Sequence, residues 1–307
     1  MITHYFRTLK DDELKTLPEP RSGVWTHVVG ATDEEVEYLV QEFGLDEAIL
    51  KDAQDFFEVP RLEKSGGATY FFARYPFEQQ EEDVDTAPLL IVMGESYVIT
   101  VALAEVPQFQ RFLDGKEVIH TTQKAKFFIQ LMGAITRSYE RKLVRLRRAV
   151  HRDRVQLRQV GNRQIVRFVD YEHELNDMMS AVVPMNAWLE QVTTGNYMQL
   201  YNEDVELMED LMIANRQLLE SARSVLKTLQ NVRTASEAIL TNNLNATIRT
   251  LTILTILLTI PTIIASLYGM NITLPIMNHP QAFWLVILTI FTAVSLVVWL
   301  FRRMRWL

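Results

Sequence analysis

Five hydroxyl residues recur at steps of three and four in a stretch of the sequence that carries no charge. They are Thr252, Thr255, Thr259, Thr262 and Ser266. Because an α-helix has 3.6 residues per turn, this spacing places all five hydroxyls on one helix face. In hydrocarbon, each hydroxyl must find a hydrogen-bond partner or face water. Oxygens on such a face can accept hydrogen bonds from the water shell of a cation, which is typical of a polar path through a membrane.

Two structural roles would produce the same residues. A threonine hydroxyl can donate to the backbone carbonyl four residues earlier, and polar side chains can join the two helices of one membrane hairpin. The pore interpretation is favoured because the line continues outside the uncharged stretch. At steps of seven from 210 to 266, the residues are Asp, Gln, Ser, Asn, Ala, Asn, Thr, Thr and Ser. We call these nine positions the polar line.

The column next to the polar line is wholly apolar. From 211 to 267 it reads Leu, Leu, Val, Val, Ile, Ala, Ile, Ile and Leu, which resembles a coiled-coil seam. A straight helix drifts about 20° per heptad, so the line stays on one side only if several helices coil around one another. One hairpin cannot enclose a channel, and the pore interpretation therefore requires a homo-oligomer.

Charge is distributed very unevenly along the chain. The 307 residues include 31 basic and 38 acidic side chains, a net charge of −7, yet none of them lies between Thr250 and Phe301. Segments 248–268 and 282–301 each have about 20 residues, the length that crosses a bilayer as a helix. The short segment between them holds two prolines and two asparagines. The sequence thus predicts a membrane hairpin with both ends on the same side.

Arginines flank the hairpin at its two ends. Arg249 precedes the first span, and Arg302, Arg303 and Arg305 follow the second. By the positive-inside rule both termini are predicted to be cytoplasmic, in a multi-pass protein of the cell (inner or plasma) membrane.

Composition excludes several other classes of protein. The absence of cysteine excludes disulfide scaffolds, iron–sulfur clusters and thiolate zinc sites. The first residues contain no apolar region of a signal peptide, and the acidic balance argues against a nucleic-acid partner. The basic run from Arg141 to Arg158 is interpreted as a helix face in an ion-pair network. We find no catalytic constellation and no ATP motif, so neither an enzyme nor an organic cofactor is expected.

The rest of the chain predicts a large region outside the membrane. Residues 1–120 form a mixed α/β domain, with strands at 23–31 and 68–77 and a hairpin over 88–102 that turns at Gly94 to Ser96. A helix pair lies between the first two strands, with Thr32 as N-cap and Gly44 at the break. Residues 121–247 form a helical stalk with helices at 123–158 and 162–192, and a third runs from Glu203 to Tyr268. Residues 248–307 complete an α+β membrane protein.

The first span ends in Tyr268-Gly269-Met270-Asn271. Here the sequence resembles the CorA family of divalent cation transporters, whose signature is Gly-Met-Asn at the end of the first of two C-terminal membrane helices. The order of an α/β domain, long stalk helices and a basic tail also resembles the family. The resemblance covers the whole chain, and its most specific part lies within 248–307.

The resemblance implies a homopentamer in the lipid bilayer, with the first membrane helices lining a pore for divalent cations. Five Gly269-Met270-Asn271 segments would then form a selectivity filter at the outer mouth. Mg²⁺ gives up its waters reluctantly, and a ring of Asn271 carbonyls can accept hydrogen bonds from those waters. Gly269 would allow close backbone approach, and Met270 would be a flexible packing residue.

Further residues receive roles from the same resemblance. The pore lining would consist of Asn245, Ile248, Thr252, Thr255, Thr259, Thr262 and Ser266. Ile248 and Leu251 would form a hydrophobic gate that closes by dewetting. In the family, cytoplasmic ions also bind between subunits and hold the channel closed, so Mg²⁺ would be both transported and regulatory. Of the stalk carboxylates Asp204, Glu206, Glu209 and Asp210, the last is preferred because it lies on the polar line.

The sequence departs from the family pattern after the signature. The loop that follows has no acidic residue, and its one titratable group is His279. Attraction of cations to the mouth is therefore expected to be weaker. A ZntB-like transporter of Zn²⁺, or of Co²⁺ or Ni²⁺, is the first alternative, although zinc favours cysteine and histidine ligands. A non-conducting membrane-anchored scaffold is the second.

Overall fold

The structure is a computed structural model that describes residues 1–77, 86–155, 162–271, 280–304 and 306. The chain divides into two compact units, Met1–Arg233 and Thr234–Leu307. The domain limits at 120 and 247 remain predictions.

A seven-stranded sheet forms the centre of the first unit. Its strands are β1 Ile2–Phe6, β2 Lys15–Leu17, β3 Val24–Val29, β4 Leu62–Ser65, β5 Ala68–Pro76, β6 Thr86–Met93 and β7 Tyr97–Ala102. The spatial order is β2-β1-β3-β7-β6-β5-β4. All neighbours are antiparallel except β3 and β7, which run parallel with Val24 opposite Tyr97.

Both faces of the sheet are covered by helices. Alternate residues of β5 point to opposite faces, so Phe71 packs with Phe128 and Trp188 of the long helices. Phe72 packs in a separate core with Leu39, on the side of the two short N-terminal helices. Every residue of β6 is buried, as expected for a central strand covered on both sides.

The hairpin and helix pair expected in the N-terminal region are confirmed. β6 and β7 join through the turn at Gly94, where a Cβ would lie 2.2 Å from the Tyr97 ring, so glycine is required. Thr32 caps the first helix in a capping box with Glu35, and Gly44 ends it in the left-handed conformation. Three further strands, β1, β2 and β4, were not predicted.

The helices are α1 Asp33–Phe43, α2 Glu47–Asp52, α3 Gln110–Leu113, α4 Lys124–Val155, α5 Asn162–Val192, α6 Asn202–Tyr268 and α7 Ala282–Arg303, with a 3₁₀ turn at Pro107–Phe109. The predicted limits of α5 are confirmed, and residues 156–158 of the helix expected at 123–158 lie outside the described residues. α6 is continuous over 67 residues and includes Pro261, which confirms the long uninterrupted helix.

α4, α5 and the first part of α6 pack as a helical layer. Thr136 Oγ1 of α4 lies 3.0 Å from Asn215 Oδ1 of α6 in a buried contact, and Arg216 pairs with Glu190 of α5 at 2.9 Å. The apolar column beside the polar line is buried in this layer at four positions, namely Leu211, Leu218, Val225 and Val232. In the first unit the predicted seam is therefore part of the core of its own chain.

Candidate functional site

The threonine hydroxyls of the polar face in α6 all donate within their own helix. Thr252 donates to the carbonyl of Ile248 at 2.8 Å and Thr255 to that of Leu251 at 2.9 Å. Thr259 and Thr262 donate in the same way, at 2.7 and 2.8 Å. The bond uses the one hydroxyl hydrogen and leaves the oxygen lone pairs. The face thus has oxygen atoms that can accept hydrogen bonds, while their donor function is already satisfied.

The hydroxyl face lies away from the covered side of α6. Apart from Thr252, the residues of reduced exposure in the span share a different face, and they are Ile253, Ile256, Leu257, Ile260, Pro261, Ile264 and Tyr268. At 100° per residue, the two faces are centred roughly 150° apart on the helix. Four of the five hydroxyl residues are exposed, and Thr252 is half-buried. Within the described part of the second unit, the hydroxyl face is therefore not packed against another helix. This contradicts the alternative in which the hydroxyls join the two helices of one hairpin.

The positions assigned to a constriction are exposed as well. Ile248 is 52% and Leu251 is 63% exposed, and Asn245 is exposed one turn earlier. Counting 100° per residue, Ile248 falls on the centre of the hydroxyl face, and Leu251 lies about 60° to one side. An apolar position thus interrupts the polar face close to where the charged part of the chain begins.

The Gly-Met-Asn segment directly follows the end of α6 at Tyr268. The Gly269 N–H donates to the Ala265 carbonyl at 3.0 Å, and the Met270 N–H donates to the Leu267 carbonyl at 3.3 Å, which closes the last turn. Met270 and Asn271 are exposed. The loop at 272–279, with His279, lies outside the described residues.

Nothing inside the described chain requires glycine at 269. Its φ is not positive, and a Cβ would lie 3.4 Å from the Ala265 carbonyl oxygen, an ordinary contact. A need for close approach at Gly269 would have to come from a neighbouring molecule, and that role stays a prediction.

The stalk carboxylates differ in their surroundings. Asp204 is buried and accepts a hydrogen bond from the Tyr201 N–H at 3.1 Å, so it caps the start of α6. Glu206, Glu209 and Asp210 are exposed. In the described part of one chain, no group of three or more His, Cys, Asp or Glu side chains could hold a metal ion. A regulatory site at Asp210 would therefore need ligands from another subunit.

A buried histidine in the sheet was not anticipated. His27 Nδ1 lies 2.7 Å from Thr100 Oγ1, which also accepts a hydrogen bond from Trp25 Nε1 at 2.9 Å. Burial lowers the pKa of His27 from 6.5 to about 4, so the ring is neutral near pH 7. Thr100 is a hydrogen-bond partner of this histidine, and aromatic rings surround it, so its role is structural. It is remote in sequence from the residues assigned to the pore.

α6 and α7 are both long and apolar enough to cross a membrane. The most apolar windows of α6 and α7 have mean hydropathies of 2.1 and 2.5, and almost none of their residues is buried. A core helix of a soluble protein would be covered at this hydropathy. The model of the CorA-like Mg²⁺ transporter protein family matches residues 21–303.

The chain belongs to the CorA family. It is 24% identical over 302 residues to the cobalt/magnesium transport protein CorA of Methanocaldococcus jannaschii, covering 92% of this chain and 91% of that protein. The complete structure of the CorA magnesium transporter from Methanocaldococcus jannaschii matches with a TM-score of 0.89 at 20% identity, over 100% of this chain and 99% of that one. The ZntB cytoplasmic domain from Vibrio parahaemolyticus matches with a TM-score of 0.66 at 8% identity, over 78% and 98%.

Membership in the CorA family makes this chain a divalent cation transporter and not an enzyme. The structural likeness confirms the predicted fold, an α/β domain followed by a long helix and two apolar C-terminal helices. The ZntB cytoplasmic domain shares the fold of the part of the chain that it covers, 78% of its length.

Proposed function

We propose that this chain assembles as a homopentamer that conducts Mg²⁺ into the cell through a central pore lined by α6. One observation carries the proposal: the described part of the chain leaves the hydroxyl face of α6 uncovered at four of its five residues. Lipid tails cannot donate hydrogen bonds to the threonine oxygens, whereas the water shell of a cation that passes along the axis can.

The hydrogen-bond polarity of this face matches the proposed substrate. A hydrated Mg²⁺ holds its waters by their oxygens, so their hydrogens point outward. Thr252, Thr255, Thr259 and Thr262 keep lone pairs available after donating to their own helix. Successive turns of α6 can therefore accept hydrogen bonds from the shell without removing any water.

Asn271 is proposed as the selectivity ring that binds the hydrated ion at the outer mouth. Its exposed position, after the last turn of the pore helix, supports this role. A neutral amide oxygen accepts hydrogen bonds from bound water without the strong attraction of a carboxylate. Gly269 and Met270 complete the filter by permitting close packing of five such turns.

Closure is proposed at Ile248 and Leu251, where apolar side chains interrupt the polar track above Asn245. A narrow apolar ring excludes water and with it a hydrated ion. We assign the sensing of internal Mg²⁺ to Asp210, paired with ligands from the adjacent subunit. The exposure of Asp210 and its place on the polar line support this assignment.

Arginines at the ends of the hairpin support cytoplasmic termini in the cell membrane. In that orientation the membrane potential draws cations inward. It contributes about 2.3 kcal/mol per elementary charge per 100 mV, hence about 4.6 kcal/mol for a divalent ion. Uptake thus needs no coupled reaction.

Two other functions make different predictions in the same experiment. A ZntB-like transporter would carry Zn²⁺, Co²⁺ or Ni²⁺ in preference to Mg²⁺, and a scaffold would carry none of them. The lack of cysteine favours Mg²⁺ over Zn²⁺. The test is flux of each of the four ions into liposomes that contain the purified protein, with protein-free liposomes as control. Faster Zn²⁺ than Mg²⁺ flux would contradict the Mg²⁺ assignment, and absence of all flux would contradict the channel.

A further inference from the structure

The second half of α4 presents a surface made almost entirely of arginine. Between residues 137 and 154 nine positions are exposed, and seven of them are arginine, with no acidic residue and no lysine among them. They are Arg137, Arg141, Val144, Arg145, Arg147, Arg148, His151, Arg152 and Arg154. We call this surface the arginine face. The lysine of this segment, Lys142, is buried instead.

Five of the seven arginines form no salt bridge with any residue that the structure describes. Arg137 pairs with Glu117 at 3.0 Å, and Arg145 also has a partner. No carboxylate in the described part of the chain forms a salt bridge with the other five, Arg141, Arg147, Arg148, Arg152 and Arg154. The nearby Asp153 is buried, where it pairs with Arg167 at 3.3 Å and accepts the Tyr171 hydroxyl at 3.0 Å. Among the described residues, the predicted ion-pair network does not extend to these five positions, and the end of the predicted run at 156–158 lies outside those residues.

The close spacing of like charges on this face destabilises the helix. Arg141, Arg145, Arg148 and Arg152 follow one another at steps of four, three and four, and like charges at this spacing destabilise a helix by about 0.2–0.5 kcal/mol per pair. The helix dipole favours cations in the last turn only, which applies to Arg152 and Arg154. The charges of Arg141, Arg147 and Arg148, which form no salt bridge with a described residue, would be stabilised by an anion from outside the chain.

We propose that the arginine face binds the phosphate chain of a soluble polyphosphate, such as a nucleoside triphosphate. A guanidinium group forms two parallel hydrogen bonds to a phosphate, which an ammonium group cannot do, and the face uses arginine exclusively among the long cationic side chains. Successive members of the column rise about 4.5 to 6 Å along α4. Adjacent phosphates of one chain can therefore reach adjacent arginines. An extended nucleic acid is disfavoured by the net charge of −7.

Binding of this ligand would respond to the transported ion, an extension that rests on the proposed function. Mg²⁺ complexes a triphosphate and cancels two of its negative charges. The Mg²⁺-free form is then the stronger ligand for an arginine surface. The arginine face would be occupied when Mg²⁺ is scarce and would release its ligand as Mg²⁺ rises.

The test is calorimetric titration of the purified full-length protein with sodium tripolyphosphate and with ATP, in EDTA and at low salt. The variant Arg141→Gln/Arg148→Gln/Arg152→Gln should bind both at least tenfold more weakly. The control Arg111→Gln/Arg216→Gln/Arg223→Gln removes the same charge from exposed arginines elsewhere and should change the Kd less than twofold. Arg141→Lys/Arg148→Lys/Arg152→Lys keeps the charge and should bind with intermediate strength. Excess Mg²⁺ should weaken binding to the wild-type protein.

Other outcomes would overturn the proposal. Equal loss in the glutamine variant and its control would show a general charge effect. The proposal is wrong if the wild-type protein does not bind tripolyphosphate. Binding only to dioctanoyl phosphatidylglycerol would make the arginine face a lipid site, and binding only to a single-stranded RNA would make it an RNA site. The Arg→Lys variant keeps the test valid if the glutamine variant unfolds. Because the titration requires no transport, a failure of ion flux would affect the proposed function alone.

Discussion

Thr259 Oγ1 lies 2.7 Å from the carbonyl oxygen of Thr255, one turn earlier in α6. The donor is a residue of the hydroxyl face, and the acceptor is the backbone of the preceding one. The same bond forms in α7, where Thr289 donates to the Leu285 carbonyl at 2.8 Å. The bond itself therefore does not distinguish a pore residue. What distinguishes Thr259 is its place on the polar line, which continues from the charged part of α6 into the span.

Removing the Thr259 hydroxyl should slow the flux of Mg²⁺. Thr259→Val keeps the shape of the side chain but offers no acceptor, and we expect about a tenfold lower rate, equivalent to about 1.4 kcal/mol of barrier. Thr259→Ser should restore most of the rate. Thr289→Val removes a similarly bonded hydroxyl from α7 and should leave flux unchanged. Stopped-flow uptake into proteoliposomes measures all three, and equal rates for Thr259→Val and wild type would contradict the pore assignment.

Asn271→Ala should reduce Mg²⁺ uptake at least tenfold while the oligomer stays intact. The amide oxygen that accepts hydrogen bonds from the ion's waters is lost, whereas no described contact within the chain depends on this exposed side chain. Asn196→Ala, a change of the same type at an exposed position of the first unit outside the polar line, is the control. Uptake is followed in proteoliposomes and oligomeric state by light scattering; undiminished uptake by Asn271→Ala would remove the selectivity ring.

Asp210→Ala should raise the internal Mg²⁺ concentration that halves the flux, at least threefold. A carboxylate that binds the ion between subunits stabilises the closed state, and its loss favours the open state. Glu220→Ala removes another exposed carboxylate from α6 and should leave inhibition as in the wild type. Patch recordings at graded internal Mg²⁺ measure the effect. An unaltered inhibition curve for Asp210→Ala would exclude this residue from the sensor.

The free energy of unfolding should fall as the pH is lowered from about 6.5 to about 4, because of His27. Above pH 6.5 the ring is neutral in both states. Below it, the unfolded chain takes up a proton that the buried ring, with its pKa lowered to about 4, does not. The loss reaches about 3 kcal/mol at pH 4 and then levels off. Thermal unfolding of the full chain across this range should show it. His27→Gln should flatten the profile, whereas the exposed His173→Gln should not; an unchanged slope in His27→Gln would contradict the assignment.

The sequence predicted the elements whose signals are local. Thr32, and Gly44 twelve residues later, mark both ends of α1, and Gly94 marks a hairpin between two apolar strands. The strands that were missed lie towards the edges of the sheet. β4, with the sequence LEKS, and β2, with the sequence KTL, are short, polar and partly exposed. Their pairing is set by neighbours distant in sequence and not by their own residues.

The residues of the candidate site were predictable from the sequence, but the side of α6 that would be covered was not. Periodicity alone placed Thr252 to Ser266 on one face and predicted the continuous α6. It could not show which side of the helix would be covered, because that depends on packing in the second unit. The partners of the arginine run were unpredictable for a similar reason: Asp153 is close in sequence, but it is buried and bonds to Arg167 and Tyr171.

The parallel pairing of β3 with β7 has a consequence for the order in which the protein is made. β3 is complete at residue 29, yet one of its two partners is not synthesised until residue 102. The β3–β7 pair at the middle of the sheet can therefore form only after more than seventy further residues have left the ribosome. Closing so long a loop is slow, but both apolar C-terminal helices are translated more than a hundred residues later still. We expect the sheet to be assembled before either membrane helix emerges, so that its apolar strands are already buried when the insertion machinery engages the chain.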